Sequence, residues 1–233
     1  MTMRTRPPSK EKQSAFSLIE LLVVIAIIGI IGAFAVPAVG NLLKGSSMTQ
    51  AANLLNDNTA SARQYALTKN RTVEVRFYNF ADPELPGESI ADQNTWRFRA
   101  LQYFEISEGG ALNPVGNVAR FPDTVIMSSD STLSSVFGVL TPATPKSTNN
   151  DPELPRGVKL NYRYVSFRFQ PDGSTSLSQA GPTTAGANGQ WYITAHLLND
   201  LAKAQAGNPP PNFFTWMIDP VSGAMKLLRP GAK

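Results

Sequence analysis

Apolar and polar positions change their spacing twice along this chain, and each change marks an element. From Phe16 to Val36 every residue is aliphatic, aromatic or glycine except one carboxylate, Glu20, and one hydroxyl, Ser17. At about 1.5 Å rise per residue such a helix is roughly 30 Å long, the thickness of a hydrocarbon core. From Ala38 to Lys69 the helical pattern becomes one-sided. Val39, Leu42, Leu43, Ala51, Leu54, Leu55, Ala62, Tyr65 and Ala66 recur every three or four residues, which predicts an amphipathic continuation. Gly45-Ser46-Ser47 is a soft spot where a bend is expected, and Asn70 supplies a stop signal.

Beyond Asn70 the period falls to two. "TVEVRFYNF" (Thr72–Phe80) and "WRFRALQYFEI" (Trp96–Ile106) alternate as half-buried strands do, and the Pro-rich break at Asp82–Gly87 makes them a long-looped antiparallel hairpin. Further strands are predicted at "TVIMSS" around Val125, at Lys159–Phe169, in "GQWYITAHL", in "NFFTWMID" and in "AMKLL". Turns follow from Pro171-Asp172-Gly173-Ser174 and Pro220-Val221-Ser222-Gly223, and Thr141–Pro155 reads as a Pro/Ser/Asn-rich loop. The expected fold class is α+β, a long N-terminal helix packed on an antiparallel sheet. It divides into a leader at 1–15, an apolar helix at 16–37, an amphipathic helix at 38–70, and a β-rich head at 71–233 with loop insertions near 81–95 and 141–157.

Charge sharpens the picture of the N-terminus. The 233 residues carry +4 with a pI near 9.4, a balance that suits a nucleic-acid partner until the charges are located. Arg4, Arg6, Lys10 and Lys12 against Glu11 give the first fifteen residues +3, and the remainder is near neutral. Basic residues flanking a span stay on the cytoplasmic side, sending the C-terminal bulk across the membrane. The chain has no cysteine, so its fold uses no disulfide.

Three kinds of apolar N-terminus compete. A secretory signal peptide has an apolar run of about 7–15 residues before a small-residue cleavage site; this run is longer and contains a charge. A plain membrane anchor explains the length but not Glu20, because an acidic group inside lipid is costly and marks function. The third reading starts at Ala15, Phe16 and Glu20, a small residue, a phenylalanine and a glutamate in fixed register, followed by the span and then Pro37. This register resembles the N-terminal signal of type IV pilins and type II secretion pseudopilins. The one departure is Ala15, where glycine is commonest in the family.

The resemblance implies cleavage between Ala15 and Phe16 by a prepilin peptidase and N-methylation of Phe16 by the same enzyme. It implies a role for Glu20 in assembly, pairing with the N-terminal amine of a neighbouring subunit; the plainer alternative is a carboxylate snorkelling toward the headgroups. Gly29, Gly32 and Pro37 are helix-softening positions, each glycine costing about 1 kcal/mol relative to alanine and an interior proline about 3. Small residues also permit close helix packing in lipid. Implied partners are the peptidase/methyltransferase, other pilin-like subunits in a filament, an inner-membrane assembly platform and membrane lipid. The implied location is the inner membrane, single-pass, with the N-terminus cytoplasmic and the head periplasmic. Farther along, "SARQYALTKNRTVEVRFY", "FRFQPDGSTSL" and "WMIDPVSGAMKLL" are similar to H-type minor pseudopilins, and the whole chain is similar to the Verru_Chthon cassette protein D family.

Little chemistry competes with a structural role. His196 is the single histidine and reads as a strand residue, so neither a zinc site nor a cofactor is expected. No nucleophile elbow, phosphate loop or dinucleotide fingerprint occurs, and no enzymatic activity is expected. Pro171-Asp172-Gly173-Ser174 lacks the alternating acidic ligands of a calcium loop. Arg97, Arg99, Arg163 and Arg168, interleaved with Trp96, Phe98, Tyr162 and Tyr164, are a candidate surface for single-stranded DNA. The near-neutral remainder favours the solvated face of two strands, and no nucleic acid is expected. Trp191, Phe213, Phe214 and Trp216 read as sheet core. The expected function is a non-catalytic subunit of a pseudopilus or pilus, the alternative a pilin-like module that binds a ligand, a surface or DNA.

Overall fold

The computed structural model describes residues 17–144, 154, 158, 160–182, 189–205 and 210–229, with the side chains of 34–43 and Gln205 outside that description. The leader, Ala15 and Phe16 lie outside the described residues, as does most of the Thr141–Pro155 loop. The chain resolves into two compact units, one ending at Leu43 and one beginning at Lys44.

Helix α1 (Leu18–Lys69) belongs in part to each unit. It continues without interruption through Gly45-Ser46-Ser47, so the expected bend does not occur. Thr49 Oγ1 donates to the carbonyl of Gly45 at 3.0 Å, a bond that fits the helical ladder rather than breaking it. The helix ends as Asn70 predicts. Asn70 takes a left-handed φ of 52°, and the Arg71 N–H returns to the Ala66 carbonyl at 3.2 Å, closing a Schellman-type cap.

Within the second unit the later turns of α1 bury one stripe. Met48, Ala51, Ala52, Leu55, Thr59, Ala62 and Ala66 are buried, while Gln50, Asn53, Asp57, Ser61 and Gln64 are exposed. Small residues at Ala51, Ala52, Ala62 and Ala66 let the backbone approach the sheet closely. Leu54 and Tyr65 are half-buried at the stripe's edge; Val39, Leu42 and Leu43 lie outside the described side chains.

The sheet comprises β1 (Val73–Phe80), β2 (Arg97–Ile106), β3 (Leu112–Arg120), β4 (Val125–Met127), β5 (Arg163–Phe169), β6 (Trp191–Leu197), β7 (Phe213–Ile218) and β8 (Met225–Leu228). Its order is β5-β1-β2-β4-β6-β7-β8, all pairs antiparallel, with β3 also paired to β2. The β1–β2 hairpin forms as expected, with a register shift at Tyr78/Asn79. β5 begins at Arg163 rather than Lys159. Three elements were not anticipated: β3, and the short helices α2 (Ser135–Val139) and α3 (Leu201–Gln205).

The short helix α2 repairs a defect in the sheet. Strand β4 is only three residues long, so the first half of β6 lacks a full-length neighbour. Side chains substitute: Thr194 N–H donates to Ser134 Oγ at 3.1 Å and Tyr192 N–H to Ser135 Oγ at 2.9 Å. Both serines are fully buried, and these bonds satisfy backbone groups that would otherwise be costly to bury.

Apolar packing occupies both faces of the sheet. On the helix side Val73, Val75, Phe77, Leu101, Val165, Phe167, Trp191, Ile193, Phe214 and Trp216 form one cluster with the α1 stripe. Opposite, Tyr78, Phe80, Ala100, Val158 and Tyr162 form a second, smaller one. The 81–95 segment includes a 3-10 turn at Gln93–Thr95 and is tied down by ion pairs from Asp82 to Arg120 and from Glu88 to Arg99.

Candidate functional site

The start of α1 explains part of Glu20 locally. Ser17 precedes the first helical residue, and its side-chain Oγ accepts from the Glu20 N–H at 3.2 Å. In return the Ser17 N–H and Oγ–H donate to Glu20 Oε2 at 2.9 and 3.0 Å. This is a reciprocal capping box, which satisfies helix-end donors that have no partner within the helix. The Ser-x-x-Glu spacing of Ser17 and Glu20 is the sequence signature of this cap. Both donors converge on Oε2, and Oε1 accepts no bond among the described residues.

Past the cap, every large aliphatic side chain from Leu18 to Ile31 is exposed, at 46–82%. A helix apolar on all sides has no stable place in water and requires lipid or other protein around it. Among the described residues no helix is long and apolar enough to cross a membrane. The described side chains of this stretch stop at Ala33, short of the ~20 residues a span needs. Among the described residues a Cβ added at Gly29 or Gly32 would meet nothing within 4 Å. The backbone stays helical across Pro37, although proline has no N–H to give to the Ala33 carbonyl.

Three sequence motifs that lie far apart in the chain meet in the second unit. Arg63, on α1, donates through Nε and Nη2 to the Ser222 carbonyl at 3.1 and 2.8 Å. Gly223, at a φ of +64°, sits where a Cβ would come within 2.1 Å of the Gly173 carbonyl oxygen and 3.0 Å of Arg63 Nε. Gly173, at +87°, packs against Arg63 and Leu67 in the same way. The Thr175 N–H donates to the Pro220 carbonyl at 2.9 Å, completing the join between the two turns. Asp172 accepts from Ser174 N and Oγ, and Asp219 from Val221 N and Ser222 Oγ. These bonds hold both carboxyls below the usual carboxylate range. The motifs are therefore a helix-to-turn clasp, in which Asp172 shapes a turn.

The arginine set does not form one surface. Arg99 is buried and paired with Glu88, which corrects its expected place on a solvated strand face. The cause is the register shift between β1 and β2, which pairs Asn79 with Phe98 and skips Arg99. Arg168 is paired with Glu74 at 3.1 Å, Arg163 with Gln93, and Arg97 donates to the carbonyls of Asn94 and Trp96. Trp96, Phe98 and Tyr162 are buried, so they offer no face for bases to stack on. Trp191, Phe214 and Trp216 are core as expected, whereas Phe213 is half-buried on the opposite side of β7.

His196 lies fully buried in β6, its Nδ1 2.8 Å from the Leu197 carbonyl and its Nε2 without a partner. Burial pushes its pKa down, with smaller opposing contributions from the Leu197 carbonyl and Asp200. Among the described residues no cluster of three or more histidines or carboxylates is placed to hold a metal.

Residues 10–36 match the family model of the prokaryotic N-terminal methylation motif, a span that contains Ala15, Phe16, Ser17, Glu20, Gly29 and Gly32. No curated protein matches the chain. Among solved structures, the chain is similar to the minor pseudopilin EpsH from the type 2 secretion system of Vibrio cholerae. That likeness has a TM-score of 0.41 at 8% identity, covering 79% of this chain and 98% of that one. The methylation motif thus opens a long helix whose later turns pack on an antiparallel sheet.

Proposed function

We propose that this protein is a non-catalytic filament subunit. It is inserted in the inner membrane with its head periplasmic, cut between Ala15 and Phe16 by a prepilin peptidase, methylated on Phe16, and assembled with other pilin-like subunits through the apolar part of α1. The observation that carries the reading is the methylation motif at residues 10–36 on a helix whose aliphatic side chains are exposed all round. Such a surface suits lipid before assembly and neighbouring helices after it. Glu20 fits the same scheme, with Oε2 held by Ser17 and Oε1 left to accept a bond from a neighbour's amine. The buried Arg99 and the paired Arg163 and Arg168 give no support to the DNA-binding alternative. The three converging motifs support a place near the H-type minor pseudopilins.

Two substitutions separate assembly from the local cap. Glu20→Gln retains a capping-box acceptor but loses the charge, whereas Glu20→Ala loses both. Both variants are expected to insert and be cleaved, and both to be absent from sheared or crosslinked filaments. Normal assembly by Glu20→Gln would show that only the cap matters. Normal assembly by both would remove Glu20 from the scheme.

A further inference from the structure

The sheet has three outward edges, and the chain covers or breaks two. Strand β5 is covered near both ends. Ala143 and Tyr164 exchange backbone bonds at 2.8 and 3.0 Å, and the Ser176 N–H reaches the Arg168 carbonyl at 2.8 Å. Strand β3 is broken as a template by Pro114 and by Gly116 at a φ of +81°, whose carbonyl is taken by the Gln102 side chain at 2.9 Å. Proline, bulges and covering segments are the ordinary means of blunting an edge.

Strand β8 has none of these and is blunted only by its four-residue length and the exposed Lys226. It contains no proline or glycine, and among the described residues its backbone pairs with β7 alone. On its outer face Lys226 and Leu228 are exposed, and Lys226 has no ion pair among the described residues. On its inner face Met225 and Leu227 are half-buried against the main cluster. Where the strand begins, a groove of about 460 Å³ is lined by Trp191, Met217, Val221 and Met225, and Val221 is 56% exposed.

We infer that β8 accepts an added strand from the head of a different pilin-like subunit. The partner segment is extended, carries a carboxylate opposite Lys226, and places an apolar side chain in the groove. Edge pairing supplies the affinity through main-chain bonds, and alternate side chains supply the choice of partner. A second copy of this chain is the wrong occupant. Two β8 edges paired antiparallel with their core faces aligned bring both Lys226 side chains onto one face, directly opposed or diagonal, and like charges there repel. An acidic strand turns the same lysine into an attractive contact.

This inference rests on the filament reading, and the test separates the two. The first arm uses a photocrosslinking residue at position 228 of the full-length protein in its own cells, with position 113 on β3 as control. Capture at 228 of a non-identical pilin-like subunit through an extended acidic peptide supports the proposal. Self-capture, or no capture above that at 113, overturns it. Lys226→Glu, an exposed change that leaves the core intact, should lower capture about fivefold while Lys226→Arg retains it; equal capture by all three overturns the charge argument.

The second arm uses the detergent-solubilised full-length protein and an eight-residue peptide of alternating valine and glutamate. Hydrogen exchange of the β8 amides should slow with this peptide and not with its valine–lysine counterpart. The N-terminal mass is read on the same sample. A chain processed to Phe16 whose β8 gains no protection defeats the edge proposal alone. An unprocessed chain whose β8 is protected leaves the edge in place and defeats the filament as the source of its partner.

Discussion

Gly223 is the residue at which the fold tolerates least change. Its positive φ disfavours any side chain, and an added Cβ would lie 2.1 Å from the Gly173 carbonyl oxygen. Gly223→Ala is therefore expected to destabilise the head by on the order of 2–4 kcal/mol, read from chemical denaturation. Arg63→Ala removes two charged donors from one exposed carbonyl and should cost only about 1 kcal/mol. A larger loss from Arg63→Ala than from Gly223→Ala would contradict the clasp as described. His196 makes a separate prediction in pH. Burial lowers its folded pKa, so between that value and the unfolded value of about 6.5 the unfolded chain binds the extra proton. Its contribution to stability is fully present above pH ~6.5 and is lost as pH falls below it. Denaturation midpoints between pH 5 and 8 check this, and His196→Gln should flatten the slope in that window.

At the scale of elements, the contrast within α1 leads to a truncation. The turns up to Ile31 bury no large aliphatic side chain, whereas the turns from Met48 to Ala66 contribute a full stripe to the main core. A fragment beginning at Lys44, where the second unit begins, is expected to be soluble and cooperatively folded, since it keeps the whole stripe. Aggregation, or a melt without a transition, would mean that the first unit supplies folding energy to the head. The same contrast shows what was legible. Strands such as Val73–Phe80 were readable because Val73, Val75 and Phe77 alternate with Glu74 and Arg76 in the sequence, although burial along the strand is nearly continuous. Strand β3 was not, because "LNPVGNVAR" carries the proline and glycine that mark loops and also mark blunted edges. Helices α2 and α3, at five residues each, are shorter than two turns and show no helical period.

For the whole molecule, the N-terminal motif was legible because its chemistry is local, a few residues in fixed register. Sites assembled across the chain were not. That Arg63, Gly173 and Gly223 touch, or that Arg99 turns inward to Glu88, depends on sheet order and on one shifted register, which no short window contains. The central claim, a subunit matured for a filament, is tested most directly by the intact mass of the protein taken from cells with and without an active prepilin peptidase. With the peptidase, the mass should correspond to a chain beginning at Phe16 plus one methyl group; without it, to the chain from Met1. A chain that keeps its leader in both, or that begins after Pro37, would contradict the account.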